Sequence, residues 1–463
     1  MGEQRKKMED LFDCEPPKEG QEKEPQAEVN ADVPPSNRKR RRLKNTFLAV
    51  GLAVIFFVLG GFTVWFSLDK DLRMLMKLKT AIQKHYYEEI DDDAFYDTLF
   101  QAVNHDLLDA YSQYMTADEY RANKDSLAGK HIGIGIVFST VNEKNQPQML
   151  VTRVSGNSPA EAAGVKAGDY LTAFGKTQSE MTESEKFDDF VKFLNGLKEG
   201  EEFFARVRTG QEDRIVSMSR QAYVENYLFY RTSTSAYVFS GKNADELTQQ
   251  DNPLSCLKED TAYIRLVQFA GEVTKRFEDL MKLFKQQGKK NLVLDLRDNG
   301  GGYLDIVQNL AQYFCKTATE KKPLAVVADY GEEKEYFHAS GNVYYDYFSE
   351  ESRIYVLADN GTASASECLI GCLVDYGATK FSDICLIERD GVAKTYGKGI
   401  MQTTYYLGAQ GDAVKLTTAQ IRWPVSNRSI HDRGVLPEDG AKSVKANLYG
   451  DAEIVSAMEK LMG

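Results

Sequence analysis

The stretch RIYVLADNGTASASECLIGCLVDYG, residues 353–377, passes from an apolar run through a short polar turn to a second apolar run. The first part, RIYVLADN, predicts a buried β-strand, and SASECLIGCLVDYG predicts a helix. Strands and helices alternate in the same way from about residue 222, which predicts an α/β domain with helices covering a sheet. The turn places three hydroxyls close together, on Thr362, Ser364 and Ser366.

A second strand-to-helix turn in this domain carries glycines. KNLVLDLRDN is a nearly continuous apolar strand, and DLRDNGGG (Asp295–Gly302) connects it to the helix YLDIVQNLAQYF. Backbone N–H groups at such turns are free to bind anions, and a Ser at a helix N-terminus lies in a field that favours negative charge. Glycines allow another N–H to approach a developing oxyanion. The two turns together predict acyl-transfer chemistry.

The proton acceptor for a serine nucleophile is the missing part. None of the histidines lies in a Gly- or Ser-rich turn of this domain, which disfavours a Ser-His-Asp triad; they are His85, His105, His131, His338 and His431. Lys398 in TYGKGIMQTT, flanked by glycines, is the alternative base. Its ordinary pKa is near 10.4, so burial or nearby positive charge must lower that pKa. Ser-Lys pairs are a known variant of triad chemistry.

Composition limits the classes of function. A chain of 463 residues is too long for one compact core, so two or three domains are expected. The net charge of -12 argues against nucleic acid as a partner. The 6 cysteines form no CxxC pair and no Cys/His cluster at ligand spacing, which argues against a structural zinc site. No metal and no other cofactor is predicted.

The N-terminal region predicts a membrane anchor. Residues 1–45, which end in the basic cluster RKRRRLK, predict a disordered cytoplasmic tail. The uncharged run at residues 46–67 is long enough, as a helix, to cross the ~30 Å hydrocarbon core of the lipid bilayer. Because the positive charges precede this run, we predict a single-pass protein with a cytoplasmic N-terminus and an extracytoplasmic remainder. A cleaved signal peptide fits less well, since no A-x-A site follows the run.

Two further patterns lie between the anchor and the α/β domain. Residues 69–117 predict amphipathic helices. Residues 118–221 predict short strands, with a Pro-initiated short helix in NSPAEAAGVKAGDYL. GIGI (Gly133–Ile136) and SPAEAAGVKAGD (Ser158–Asp169) together resemble a PDZ domain. The alternative is a small β-rich domain that binds no peptide.

The resemblance to PDZ domains implies peptide binding. In that family the first loop captures a peptide's terminal carboxylate through backbone N–H groups, and the peptide adds a strand to the sheet edge. In this chain the implied loop consists of Ile132, Gly133, Ile134, Gly135 and Ile136. The implied partners are the C-termini of protein or peptide substrates.

The joint motif set TASASE, DLRDNGGG, YGKGIMQ and GVLPED resembles the carboxyl-terminal processing proteases of peptidase family S41, also called tail-specific proteases. DAYSQYM (Asp109–Met115) is similar to the segment that precedes the PDZ domain in that family. The resemblance covers roughly residues 70–445. It implies a crotonase-like β-sheet with helices at residues 222–448, interrupted in the fold by the PDZ insertion, and a C-terminal helix at residues 449–463. The implied activity is that of a serine endopeptidase.

The resemblance also assigns roles by position. It implies that Ser364 is the nucleophile, that Lys398 is the base and that Gln402 orients Lys398. Ser366 is the rival nucleophile. Thr362 is expected to be a turn or capping residue.

The implied oxyanion donors are the backbone N–H of Ala365 and that of either Gly301 or Gly302. The family commonly has Asn-Asn-Pro-Gly-Gly or Asn-Asn-Ser-Gly-Gly after DLR. Here Asp298 replaces the first Asn, and Gly300 replaces the Pro or Ser. The extra carboxylate of Asp298 is harmless if it faces water.

The segment from Ser364 to Lys398 is longer than is usual in the family, and we expect the extra length to loop out near RDG, residues 389–391. An alternative function is that of an inactive homologue whose PDZ domain scaffolds partners, although the intact Ser, Lys and Gln argue against it. Gating of the active site by the PDZ domain is a further hypothesis. Homo-oligomerisation is also expected, through the helices after the anchor and the final helix DAEIVSAMEKLM.

Overall fold

A computed structural model describes residues 36–142, 144–317, 319–409, 411–445 and 450–462. The chain forms two compact units, one ending at Tyr96 and one beginning at Asp97, and each is described by itself. The disorder predicted for residues 1–35 lies outside the described residues. Residues 36–45, predicted as part of the tail, are helical. The reason is that neither Pro nor Gly separates them from the apolar run, so the helix extends through both.

The first unit is helical. Its elements are α1 (Ser36–Ser67), α2 (Lys70–His85) and the start of α3 (Asp92–Ala102). Within the described residues, Thr46–Ser67 is the one helical stretch long and apolar enough to cross a membrane, as predicted. The Asp69 carboxylate caps α2 by accepting a hydrogen bond from the N–H of Asp71 (2.8 Å).

The second unit contains the remaining helices and all the described strands. Beyond α3, its helices are α4 (Ala117–Leu127), α5 (Pro159–Ala162), α6 (Phe187–Asn195), α7 (Val273–Gln286), α8 (Leu304–Ala311), α9 (Tyr344–Tyr347), α10 (Ala365–Asp375) and α11 (Asp451–Met462). Short helical turns lie at Val103–Leu107, Phe381–Asp383 and Pro437–Asp439. The first strands are β1 (Gln113–Met115), β2 (Lys130–Gly133), β3 (Ile136–Val141), β4 (Pro147–Val154), β5 (Tyr170–Gly175), β6 (Thr182–Glu183), β7 (Glu202–Thr209), β8 (Glu212–Ser219) and β9 (Gln221–Val224). The later strands are β10 (Leu228–Arg231), β11 (Ala236–Ser240), β12 (Glu246–Gln250), β13 (Thr261–Leu266), β14 (Asn291–Asp295), β15 (Leu324–Asp329), β16 (Lys334–His338), β17 (Ile354–Asp359), β18 (Ile384–Glu388), β19 (Ile400–Leu407), β20 (Asp412–Arg422) and β21 (Lys442–Lys445).

The α/β domain is built on a sheet of strand order β12-β11-β10-β13-β14-β17-β18-β21. Within this sheet the neighbouring strands β13, β14, β17, β18 and β21 are parallel. The turns after β14 and β17 therefore meet at the same edge. The five residues of β14 and the six of β17 are almost all buried, because helices cover both faces of the sheet. This arrangement agrees with the predicted α/β architecture.

The two faces of this sheet have separate apolar cores. On one face, α7, α8 and α10 pack around residues such as Phe277, Leu310 and Leu369. On the other face, α11 buries Ile454 and Met458 against strand residues. The apolar side of the final helix is therefore covered within this chain, which leaves that side unavailable for the oligomer contact expected from the sequence.

A second sheet follows the order β1-β20-β15-β16, with β19 also paired to β20. Its first strand, Gln113–Met115, lies in the segment predicted to be helical up to residue 117. The strand pairs with Ala413–Lys415 of β20, and this long-range pairing overrides the local helical pattern. The pairing brings the segment DAYSQYM next to β20, whose other partner, β19, begins just after Lys398.

A third sheet has the order β3-β4-β5-β7-β8, with β6 beside β5. It encloses its own core with α5 and α6, formed around residues such as Phe190, Phe203 and Val151. Because β3 is an end strand, its outer edge pairs with no described strand. The strands and the short helix that begins at Pro159 lie where the sequence predicts them.

Candidate active site

The turn after β17 holds Ser364 in an unusual backbone conformation. Its φ is 56° and its ψ is -115°, in a region that residues other than glycine rarely adopt. The residue that follows, Ala365, begins α10, and the carbonyl of Ser364 accepts the first helical hydrogen bond from the N–H of Cys368 (3.0 Å). Strained backbone of this kind costs about 1–3 kcal/mol and is found preferentially at functional sites.

The other two hydroxyls of the turn bind backbone groups of the turn after β14. Thr362 is buried and its hydroxyl donates to the carbonyl of Leu296 (2.8 Å), while accepting from the N–H of Asp359 (3.0 Å). The buried hydroxyl of Ser366 donates to the carbonyl of Asn299 (2.9 Å). Ser364, the third hydroxyl residue of the turn, is half-buried, whereas the other two are buried.

The glycine turn approaches Ser364 closely. A Cβ added to Gly301 would lie 2.8 Å from the Cβ of Ser364 and 2.9 Å from the nitrogen of Ala365. With a φ of 102° in addition, this position accepts only glycine without strain. Asn299 ties the two turns together, since its carbonyl accepts from the N–H of Ala363 (2.9 Å).

The predicted oxyanion donors differ in their hydrogen bonding. The N–H of Gly301 donates to the side-chain oxygen of Asn299 (3.0 Å). Within the described residues, no acceptor takes the N–H of Ala365 or that of Gly302. An unpaired N–H is normal in the first turn of a helix, such as that of Ala365. The two available donors are therefore Ala365 and Gly302.

One buried carboxylate joins the Ser364 turn to the Lys398 loop. Oε2 of Glu367 accepts from the N–H of Ser364 and the N–H of Lys398, both at 3.0 Å. Oε1 accepts from the N–H of Gly397 (2.9 Å) and the hydroxyl of Thr395 (2.5 Å). Burial raises the pKa of Glu367, and these hydrogen bonds oppose that change. Residues 364 and 398 thus share one acceptor atom.

The long segment between Ser364 and Lys398 is accommodated without displacing Lys398 from this contact. It forms α10 and β18 and then turns at Asp390 and Gly391, which both have positive φ. Arg389 and Val392 pair across this turn. The chain therefore loops at residues 389–391, as predicted.

The side chain of Lys398 lies against Tyr111, a residue to which the sequence analysis gave no role. Its Nζ is 4.6 Å from the ring centroid of Tyr111, at cation–π distance. The pKa of Lys398 is lowered by burial and by the positive charge of Lys415, and Asp109 opposes this. A hydrogen bond with Tyr396, helped by burial, raises the pKa of Tyr111 to about 12, so its hydroxyl stays protonated.

Gln402, predicted to orient Lys398, lies on β19 and contacts the neighbouring strand. Its amide donates to the hydroxyl of Thr417 (3.3 Å), and the N–H of Thr417 donates to Ser112 Oγ (2.8 Å). Among the described residues, no hydrogen bond joins Gln402 to Lys398. The orienting role of Gln402 stays a prediction.

The predicted carboxylate loop, residues 132–136, connects β2 to β3. Gly135 has a φ of 78°, and a Cβ there would lie 2.2 Å from the Cβ of Ser158. Ile134 is buried in the core of the sheet that contains β3, and its carbonyl accepts from the N–H of Ala160 (3.0 Å). Ile132, in contrast, is 59% exposed. The loop is therefore packed on α5 at one end and open at the other.

Comparison with known proteins identifies the α/β domain. Residues 260–439, which contain the Ser364 turn, the glycine turn and Lys398, match the family described as Peptidase family S41. These residues belong to peptidase family S41. The family predicted from the motif set is confirmed.

Individual relatives support the same assignment of the S41 core. A protein of Staphylococcus aureus (strain COL) described as a "probable CtpA-like serine protease" is 25% identical over 371 residues, which is 80% of this chain and 64% of the relative. The counterpart from Staphylococcus haemolyticus is 25% identical over 432 residues, 90% of this chain and 77% of that protein. A crystal structure from Bacteroides fragilis, described as that of an S41 protease, aligns with a TM-score of 0.50 at 15% identity and covers 82% of this chain and 91% of the other. That structure shares the fold.

The Glu367 contact generates a stability prediction for the S41 core. Glu367→Gln replaces one carboxylate oxygen by an NH2 group. That group cannot accept the two hydrogen bonds that the replaced oxygen accepts in the unmodified chain. We expect the free energy of unfolding to fall by about 3 kcal/mol, the cost of leaving buried donors unpaired. Urea unfolding followed by circular dichroism measures the change. Glu259→Gln, at an exposed position, is the matched control; equal midpoints for the two variants would show that the carboxylate does not hold the site together.

Proposed function

We propose that this chain is a membrane-anchored serine endopeptidase in which Ser364 is the nucleophile and Lys398 is the general base. The observation that carries the proposal is the strained Ser364 turn, linked by Glu367 to the loop of a lysine whose pKa is lowered. Family membership of residues 260–439 supports the reaction class.

In the proposed reaction, the neutral amine of Lys398 takes the hydroxyl proton of Ser364 as Oγ attacks the peptide carbonyl carbon. The resulting oxyanion is stabilised by the N–H groups of Ala365 and Gly302, each such donor contributing about 3–4 kcal/mol. The C–N bond then breaks, and the protonated lysine gives its proton to the leaving amine. Water then attacks the acyl carbon while Lys398 accepts its proton. The ester C–O bond breaks, the new carboxyl group leaves, and Lys398 returns the proton to Oγ of Ser364.

The proposal assigns the chemistry to one of three neighbouring hydroxyls. Ser364→Ala is expected to lower the rate of casein hydrolysis by roughly 10³-fold or more and to abolish labelling by a fluorophosphonate probe, because the acyl-enzyme cannot form. Ser366→Ala removes a structural hydrogen bond worth about 1 kcal/mol and is expected to keep both signals. Labelling of Ser364→Ala would contradict the assignment. Peptide binding without turnover in the unmodified chain would instead favour the scaffold function.

The charges around Lys398 predict the pH dependence. Only the neutral amine accepts a proton, so the acid limb of the kcat/KM profile follows the pKa of Lys398. Lys415→Gln removes a like charge, raises that pKa and shifts the limb to higher pH. Asp109→Asn removes the opposing charge, lowers that pKa and shifts the limb to lower pH.

The measurement is kcat/KM against pH for both variants and for Lys380→Gln, which changes the charge at an exposed position. Shifts of the two test variants in the same direction, or no shift in either, would exclude Lys398 as the titrating base.

We also propose that residues 118–221 form a PDZ domain that binds the C-termini of substrates. The support is the outer edge of β3, which pairs with no described strand. This strand follows directly on the loop at residues 132–136. A peptide that added a strand to β3 would bring its terminal carboxylate to that loop.

Gly135 offers a test of this recognition. Gly135→Ala places a Cβ against Ser158, reshapes the loop and is expected to weaken binding of a fluorescent peptide with an apolar C-terminal residue by about tenfold, or 1.4 kcal/mol. Gly164→Ala is the matched control, since Gly164 also has a positive φ (74°) but faces open space. Fluorescence anisotropy measures both, with the C-terminal amide of the peptide as a second control. Equal affinity of the acid and the amide would exclude carboxylate capture.

For location, we propose that Thr46–Ser67 anchors the chain in the cell membrane as a single span, with the N-terminus in the cytoplasm and the peptidase outside. The helix at these residues and the basic residues before it in the sequence support the anchor and its orientation.

A further inference from the structure

A buried carboxylate on the last helix binds two arginines of the S41 core. Glu453, on the first turn of α11, is 2% exposed. Its Oε2 accepts from Arg297 (2.6 Å), the arginine of the glycine turn. Both oxygens also accept from Arg389, Oε1 at 3.0 Å and Oε2 at 3.1 Å. A buried carboxylate that accepts hydrogen bonds from two arginines is held more strongly than a solvent-exposed ion pair.

From Arg389 the contacts continue to both catalytic turns. Its Nε donates to Oδ2 of Asp359 at 2.7 Å. The other oxygen of Asp359 accepts from the N–H of Asp298 (2.9 Å) and the N–H of Gly361 (3.0 Å). Asp298 belongs to the glycine turn and Gly361 to the Ser364 turn. One buried aspartate thus sets the distance between the two turns, and its orientation depends on Arg389.

The geometry therefore indicates a role for Glu453 beyond the attachment of α11 to the sheet. The arginines remain paired without Glu453, since Arg297 also binds Asp295 (2.6 Å) and Arg389 also binds Asp359. Loss of the Glu453 charge should make the positions of both arginines less fixed without exposing either of them to solvent. A second ion pair of the same helix, Asp451 with Arg231 (2.6 Å), docks α11 on β10. Arg231 also binds Asn252 and Pro253, which lie outside the two turns.

We propose that Glu453 is a positioning residue of the active site, which acts through Arg389 and Asp359 to hold the glycine turn against the Ser364 turn. This inference rests on the proposed function. It also gives a role to two features that distinguish this chain from the family pattern, Asp298 and the loop at residues 389–391, because Arg389 lies 3.8 Å from the Asp298 carboxylate.

The test compares Glu453→Gln with Asp451→Asn in the full chain. Displacement of reacting groups by about 1 Å costs roughly 10²-fold in rate, so we expect kcat of Glu453→Gln to fall by about that factor. KM should change little, because the contacts lead to the turns and not to the proposed peptide loop. The acid limb of the pH profile should keep its position, because Lys398 is bound through Glu367 instead. Asp451→Asn should keep kcat close to that of the unmodified chain.

Hydrogen exchange of the backbone amides gives a readout that needs no activity. In Glu453→Gln, the N–H groups of Asp298 and Gly361 should exchange faster, while that of Lys398 should not. This result would stand even if the chain proved inactive, so the failure of the proposed function is distinguishable from the failure of this inference. Unchanged exchange at both positions, or an equal loss of kcat in Asp451→Asn, would overturn the role of Glu453.

A third variant covers the case in which Glu453→Gln does not fold. Arg389→Lys keeps the buried positive charge, but its single amine cannot bind Asp359 and both oxygens of Glu453 together. The inference predicts a folded chain, judged by circular dichroism, with a low kcat. A folded Arg389→Lys variant with the kcat of the unmodified chain would overturn it.

Discussion

The arrangement of the site depends on the buried carboxylate of Glu367. A carboxylate is costly to remove from water unless hydrogen bonds replace the lost solvent. Here three backbone N–H groups and one hydroxyl replace it, and they come from both the Ser364 turn and the loop of residues 395–398. The Ser364 turn supplies one of these donors and the loop supplies three. Burial of the charge therefore favours the structure in which the two segments are together.

In the proposed mechanism, this tether explains how a lysine can serve as the base where a histidine is more usual. An imidazole needs a partner that fixes its tautomer and ring orientation. The amine of Lys398 has no tautomers, and its position is set by the backbone bond to Glu367 and by the ring of Tyr111. Burial lowers its pKa, and the strand pairing that brings in Asp109 and Tyr111 supplies a side chain that covers it.

Local sequence patterns predicted what depends on neighbouring residues. The strand, turn and helix at residues 353–377 follow from apolar runs and a polar break, and the position of Ser364 follows from the family motif. The contacts of Thr362 and Ser366 could not be predicted, because their acceptors, Leu296 and Asn299, lie in another turn. A three-residue strand at Gln113–Met115 is likewise invisible to a local pattern, since its only support is pairing with β20.

Glu367 was visible in the sequence as part of TASASE, but its pattern there is that of an ordinary residue in the first turn of a helix. Its role depends on Thr395, Gly397 and Lys398, which approach it only after β18 has joined the parallel sheet. The same reasoning applies to Asp359, which ends a buried strand and binds the backbone of both turns. The two buried carboxylates at this edge of the sheet, Asp359 and Glu367, thus have a common function: each accepts N–H groups from loops that are distant in sequence.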